Sequence, residues 1–226
     1  MPEYDESTLF IPAGRVVLEG DLSLPEEAAG LVLFAHGSGS SRKSPRNRFV
    51  ARALRDRGLG TLLFDLLTAD EERRDELDAS LRFDIPLLAE RLGAVTDWMR
   101  ERGPAGRLRI GYFGASTGAA AALLAAAHRP RTIHAVVSRG GRPDLASEAL
   151  DLVRAPTLLI VGGEDATVLA LNEDALDRLP GRKRLAVVAG ATHLFEEPGA
   201  LERVARLAGD WFVEHLSTET EWRARP

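Results

Sequence analysis

Ser116 lies within Gly114-Ala-Ser-Thr-Gly118, between the apolar run Ile110-Gly-Tyr-Phe113 and an alanine-rich segment that begins at Thr117. A serine at a turn joining a strand directly to a helix is held in a strained backbone conformation. Its hydroxyl then projects from the strand's carboxyl end. Glycines at 114 and 118 let the strand and helix backbones approach closely. The helix start turns N–H groups and the positive end of its dipole toward any negative charge that forms there. Ser116 is therefore a candidate nucleophile. A serine hydroxyl attacks poorly near neutral pH, so the reading requires a base and a group that orients it.

On an open parallel sheet such groups must lie in loops at the carboxyl ends of strands, in the chain order Ser, Asp or Glu, His. The buried-strand run Thr157-Leu-Leu-Ile-Val-Gly162 breaks at Gly163-Glu-Asp165, and the run Lys183–Val188 is followed by Ala189-Gly-Ala-Thr-His193. His193 is the expected base, taking the proton from Ser116 and returning it to the leaving group. Asp165 is expected to bind the other imidazole nitrogen, fixing its tautomer. Asp165 also suits the N-cap of a helix beginning near Ala166, and Glu164 is the alternative acid. His128, His134 and His215 fall after a helix, in a strand and near the end of the last helix, and carry no expected role.

A fourth feature is the strand Leu31–Ala35 followed by His36-Gly-Ser-Gly-Ser-Ser41. This glycine-rich loop can aim a backbone N–H at the carbonyl oxygen of a bound ester. Ser38 is the expected donor, with Gly37 or Gly39 as alternatives, and the N–H of Thr117 is the second. Each donor is worth about 3 kcal/mol of transition-state stabilisation. His36 reads as a residue that hydrogen-bonds within the loop. The loop lacks the Gly-Lys-Ser/Thr ending of a phosphate loop and the spaced glycines of a dinucleotide fingerprint.

These groups require a scaffold in which strands alternate with helices, the pattern of a mostly parallel sheet covered on both faces. An antiparallel hairpin is expected over 7–11 and 15–24. A helix starts at Ser44-Pro45, serine as N-cap and proline at the first helical position. Segment 65–84 is charged and reads as irregular, either a solvated excursion or a small flap. The next helix places Leu88, Leu92, Val95 and Met99 on one stripe, and a final helix over about 199–216 buries Leu201, Val204, Ala208, Trp211 and Phe212. The sixth strand is expected over 132–138. Only 18 residues (139 to 156) separate it from the seventh, too few for a cap domain. The expected organisation is one α/β domain over 1–216 and a polar tail over 217–226.

The marks Phe34-Ala-His-Gly-Ser-Gly-Ser-Ser41, Gly114-Ala-Ser-Thr-Gly118, Gly163-Glu-Asp165 and Gly190-Ala-Thr-His193 run over nearly the whole chain. In them the chain resembles the α/β-hydrolases, and more closely the dienelactone-hydrolase-like group. The resemblance implies an α/β-hydrolase fold of about seven or eight strands and a triad of Ser116, Asp165 and His193. The enzymes that name the group use a cysteine nucleophile, whereas this elbow carries Ser116. That favours ordinary ester chemistry over their lactone opening. Some proteins resembling this chain are joined to a phosphoribosyltransferase domain, and none is expected within these 226 residues.

Composition agrees with an enzyme of this kind. A chain of 226 residues with 45% apolar content can bury a large core. With no cysteine, disulfides, thiolate zinc sites and a cysteine nucleophile are excluded. The acidic start Met-Pro-Glu-Tyr-Asp-Glu does not read as a secretory signal, no apolar run reaches the ~20 residues of a membrane helix, and a cytoplasmic location is expected. A net charge of −5 argues against nucleic acid as a partner. No metal or organic cofactor is expected. The expected activity is a carboxylesterase-like serine hydrolase acting on small soluble esters; acyl transfer or peptide cleavage by the same triad, and a non-catalytic binding protein of this fold, are the alternatives.

Substrate charge is a further expectation. Arg42, Lys43, Arg46 and Arg48 follow the third strand with no acidic residue among them, and Arg139 and Arg142 follow the sixth, opposed only by Asp144. Both segments leave the sheet at the catalytic edge. Arg139, Arg142 and Arg46 are thus candidates to hold an anionic group of the ester; solvation, or pairing with carboxylates of 65–84, is the competing expectation.

Overall fold

The computed structural model describes residues 6–217. The strands are β1 (Glu6–Ala13), β2 (Val16–Ser23), β3 (Leu31–Ala35), β4 (Gly60–Phe64), β5 (Ile110–Ala115), β6 (Ile133–Arg139), β7 (Thr157–Gly162) and β8 (Lys183–Val188). The helices are α1 (Pro45–Arg55), α2 (Ala69–Asp78), α3 (Ile85–Arg100), α4 (Thr117–His128), α5 (Ala166–Arg178) and α6 (Ala200–Leu216), with a 3₁₀ stretch over Pro143–Leu152. One open sheet runs in the order β1-β2-β4-β3-β5-β6-β7-β8. β2 pairs antiparallel with both neighbours, and every join from β4 onward is parallel.

Alternate residues of the inner strands enter two cores, as a two-residue side-chain period requires. Ile110 and Tyr112 of β5 pack under α3 and α4, while Phe113 packs with Val50 and Leu54 of α1 and Val204, Ala208 and Phe212 of α6. Every residue of the expected α3 stripe is buried, as are the expected α6 positions except Leu201, which is half-buried. Ser44 caps α1 as read, its Oγ accepting the Asn47 N–H. Chain order reverses between β3 and β5, which opens a crevice at their carboxyl ends, the usual place for a ligand in such sheets. Only a 3₁₀ stretch lies between β6 and β7, so no cap domain covers that edge.

Segment 65–84 departs from expectation. Instead of an irregular excursion it contains α2, started by a reciprocal cap: Thr68 Oγ1 accepts the Glu71 N–H and Glu71 accepts the Thr68 N–H. Glu71 and Asp75 are its buried residues, bound to Arg91 and Arg82. Ion pairs hold this helix in place of an apolar stripe, which hid it from hydrophobic periodicity. Of the expected polar tail only Ser217 lies within the described residues, and Met1–Asp5 lie outside them as well. Among the described residues no helix is long and apolar enough to cross a membrane.

Candidate active site

Ser116 is the residue between β5 and α4, with φ 51° and ψ −119°. Such a backbone costs on the order of 1–3 kcal/mol for a non-glycine residue, so its surroundings must impose it. They do so from both sides. The Ser116 N–H donates to Arg139 O at 3.2 Å, and Ser116 O accepts from Ala119 N at 3.1 Å and Arg142 N at 3.2 Å. The flanking glycines are sterically required. A Cβ on Gly114 would lie 2.4 Å from Ala119 Cα, and one on Gly118 would lie 2.2 Å from Ala35 O.

Asp165 and His193 come together from the ends of β7 and β8, with His193 Nδ1 2.6 Å from Asp165 Oδ2. A carboxylate only accepts, so Nδ1 carries the proton and Nε2 is left with a free lone pair. Asp165 also caps α5, its Oδ1 accepting the Val168 N–H at 3.4 Å. One carboxylate thus makes both contacts at once, to the imidazole and to the helix start. Glu164 is exposed, and among the described residues only its N–H is engaged, on Ala191 O at 3.0 Å. His193 is brought beside the elbow through Gly140, whose missing Cβ would sit 3.4 Å from His193 Cε1. Ser116 Oγ makes no hydrogen bond to His193 here; such bonds are often long until substrate tightens them.

On the other side of the elbow, the loop after β3 is organised by His36. Its Nε2 accepts the Leu66 N–H at 3.1 Å, so Nδ1 carries the proton and donates to Gly37 O at 3.0 Å. Burial pushes the His36 pKa below its ordinary value. The Ser38 N–H, expected to face the substrate, instead donates to Thr117 Oγ1 at 2.9 Å. A cavity of about 230 Å³ opens beside these residues, lined by His36 to Ser41, Leu66, Leu67, Leu88 and Thr117, and by Glu72, Asp75, Glu76 and Arg82 from the region of α2. The acidic wall is not legible from hydrophobic periodicity because α2 buries Glu71 and Asp75 in place of an apolar stripe. The capping pattern Thr68-x-x-Glu71 was the available signal.

The arginines behave unequally. Arg42 pairs with Asp65 and Glu19, Lys43 with Asp21, Arg48 with Glu6, and Arg46 with Glu196. Arg142 folds back in a two-point contact on Asp144 at 2.8 and 2.7 Å. Arg139 belongs to β6 itself, one residue beyond the expected strand end. It is 7% exposed, and its Nε and Nη1 have no partner among the described residues. Burial, with Arg46 nearby, pushes its pKa down to about 10. Among the described residues no three His, Asp or Glu side chains converge as a metal site would need.

No protein-family model matches the chain. A protein of Mycobacterium tuberculosis, provisionally named a phosphoribosyl transferase, is 56% identical over 95% of this chain, but the match takes up only 48% of that protein. The chain thus spans about half the length of the curated relatives it matches first. Est1E of Butyrivibrio proteoclasticus has the same fold, with 17% identity, a TM-score of 0.75, and coverage of 92% of this chain and 98% of that one. A dienelactone hydrolase of Anabaena variabilis, solved by crystallography, is 58% identical with a TM-score of 0.93, covering 94% of this chain and 99% of that one. At that identity and coverage, an eight-stranded α/β-hydrolase fold with its strained elbow serine places this chain in the family of the Anabaena dienelactone hydrolase.

Proposed function

We propose that the chain is a serine hydrolase of small carboxylic esters, with Ser116 as nucleophile, His193 as base and Asp165 as its orienting acid. The observation that carries the reading is the strained Ser116 at the head of α4, with an aspartate-bound imidazole on the adjoining loops. Ser116 Oγ attacks the ester carbonyl carbon while His193 Nε2 takes its proton. Collapse of the tetrahedral intermediate breaks the bond to the alcohol, which leaves with that proton. Water then loses a proton to His193 and attacks the acyl-enzyme, and the acid departs as Ser116 Oγ regains its proton. Serine here does the work that cysteine does in the enzymes naming the group. The phosphoribosyl transferase name belongs to a protein about twice as long, and an elbow nucleophile serves acyl chemistry. A fluorophosphonate probe tests the reading: it should label Ser116 in the wild type and leave Ser116→Ala unlabelled and without esterase activity. Esterase activity surviving in Ser116→Ala would sink the assignment.

The reading extends to substrate charge through Arg139. A buried cation without a partner is costly, and an anion beside it offsets that cost. Arg46 and Arg142 already hold carboxylates, so Arg139 is the candidate that remains for an anionic group. Asp75 is already paired with Arg82, but Glu72 and Glu76 also line the cavity wall and disfavour an anion there, so the charged end of the substrate belongs on the Arg139 side. Matched esters with and without a distal carboxylate decide the point. The acid form should be preferred in kcat/KM, and Arg139→Gln should abolish the preference. Equal kcat/KM for both esters in the wild type rules it out.

A further inference from the structure

The amide that the sequence assigns to the oxyanion hole is already engaged, since the Ser38 N–H donates to Thr117 Oγ1 at 2.9 Å. Ser38 and Thr117 both line the cavity at the catalytic edge, and Thr117 is only 2% exposed. A hydroxyl has one donor proton and two acceptor lone pairs. Ser38 occupies one lone pair, and the Thr117 proton has no acceptor among the described residues.

We infer that the Thr117 hydroxyl is a catalytic donor to the oxyanion, acting beside the backbone N–H of the same residue. The inference rests on the serine-hydrolase reading of Ser116. When Ser116 Oγ bonds to the ester carbon, the π pair of the carbonyl moves onto its oxygen, and a donor must already face that oxygen. The Ser38 N–H could serve only by abandoning Thr117 Oγ1. The chain Ser38 N–H to Thr117 Oγ1–H to oxyanion leaves every group bonded. A hydroxyl that accepts one hydrogen bond becomes a stronger donor of the next, because the two polarise one another. The β-branched side chain has few χ1 states, so the hydroxyl is held in place before substrate arrives. The loop after β3 thereby acts on the reaction through Thr117 rather than by direct contact.

Thr117→Val removes the hydroxyl at nearly constant shape. With para-nitrophenyl acetate its kcat should fall on the order of 10²-fold with KM little changed, the usual loss for one oxyanion donor. Affinity for a trifluoromethyl ketone, which adds Ser116 to give a tetrahedral oxyanion, should fall by a similar factor. Thr117→Ser should recover most of both, and stands as the second variant should Thr117→Val fold poorly. A kcat that holds or rises in Thr117→Val overturns the inference, since the released Ser38 amide would then be the donor. A loss confined to KM, with ketone affinity intact, also overturns it and reduces the hydroxyl to a tether for the loop. Fluorophosphonate labelling of Ser116 in the same preparations separates the two readings: labelling with an unaltered kcat in Thr117→Val removes the donor role alone, while a wild type that is neither labelled nor active removes both.

Discussion

On one side of Ser116, the loops after β7 and β8 are joined by two side chains, Asp165 Oδ2 and His193 Nδ1, and Asp165 is itself fixed by capping α5. On the other side, the loop after β3 and the start of α4 are joined by a backbone N–H and a hydroxyl, Ser38 to Thr117, with His36 tying the loop to Leu66. Acid–base chemistry is assigned to the first half and charge stabilisation to the second. The halves therefore differ in what a substitution can remove. Side chains of the first can be deleted outright; in the second only the Thr117 hydroxyl can be, while the backbone amides can only be displaced or deprived of their partners.

Removing the base breaks the comparison most severely. His193→Ala should lower kcat/KM for an activated acetate ester on the order of 10⁴-fold with folding intact, and Asp165→Asn should cost somewhat less. Asparagine caps a helix about as well as aspartate, so the thermal midpoint of Asp165→Asn should move little. Near-wild-type turnover in His193→Ala would remove histidine from the mechanism.

The difference between the halves also explains what was legible in the residues. Asp165 and His193 announce themselves by type and by position just past buried strands. Ser38 stands out by its place in a glycine-rich loop, but any residue has an N–H, and the sequence does not say which amide is engaged elsewhere. Arg139 reads as a loop residue because the strand's apolar run ends at Val137; the ladder continues two residues further, to the point where Arg139 pairs with Ala115. The arginines after β3 carry no local acid, and their partners Glu19, Asp21, Asp65 and Glu196 come from distant segments. Pairing across the fold is a tertiary fact that charge counting along the chain does not reach.

Two glycines sharpen the contrast, each with one half of the site against it. A methyl on Gly37 would meet Ala115 O at 3.1 Å and Ser116 Cβ at 3.2 Å, closer than such contacts ordinarily run. Gly37→Ala should therefore shift the elbow and lower kcat about tenfold, since small misplacements at the reacting atoms are costly. A methyl on Gly140 would meet His193 O at a somewhat tight 3.3 Å and the His193 ring at 3.4 to 3.5 Å, and would do so at φ +51°. Gly140→Ala should accordingly lose about 1 kcal/mol of stability through backbone strain, with a smaller effect on kcat. Urea unfolding and steady-state kinetics on both variants test the pair, and the reverse ranking in kcat would mean that the elbow yields more easily than the histidine loop.

The smallest expected effect concerns acid. His36 is held neutral by burial, with Nε2 accepting from Leu66 N–H and Nδ1–H donating to Gly37 O. Its folded pKa lies below the unfolded value of about 6.5, so below that pH the unfolded chain binds a proton that the folded one resists. Stability should then be fully present above about pH 6.5 and decline as the pH falls through that value toward the lower folded pKa. His134 and His215 are shifted in the same direction by burial, so the wild-type slope contains all three. His36→Phe isolates one share: it leaves the Leu66 N–H without its acceptor, which should cost about 1–3 kcal/mol at neutral pH, and it removes the His36 contribution to the acid slope. Urea unfolding at pH 5 and pH 8 should therefore show a smaller difference between the two pH values in His36→Phe than in the wild type. An undiminished difference would mean that the loop after β3 is not where this protein feels mild acid.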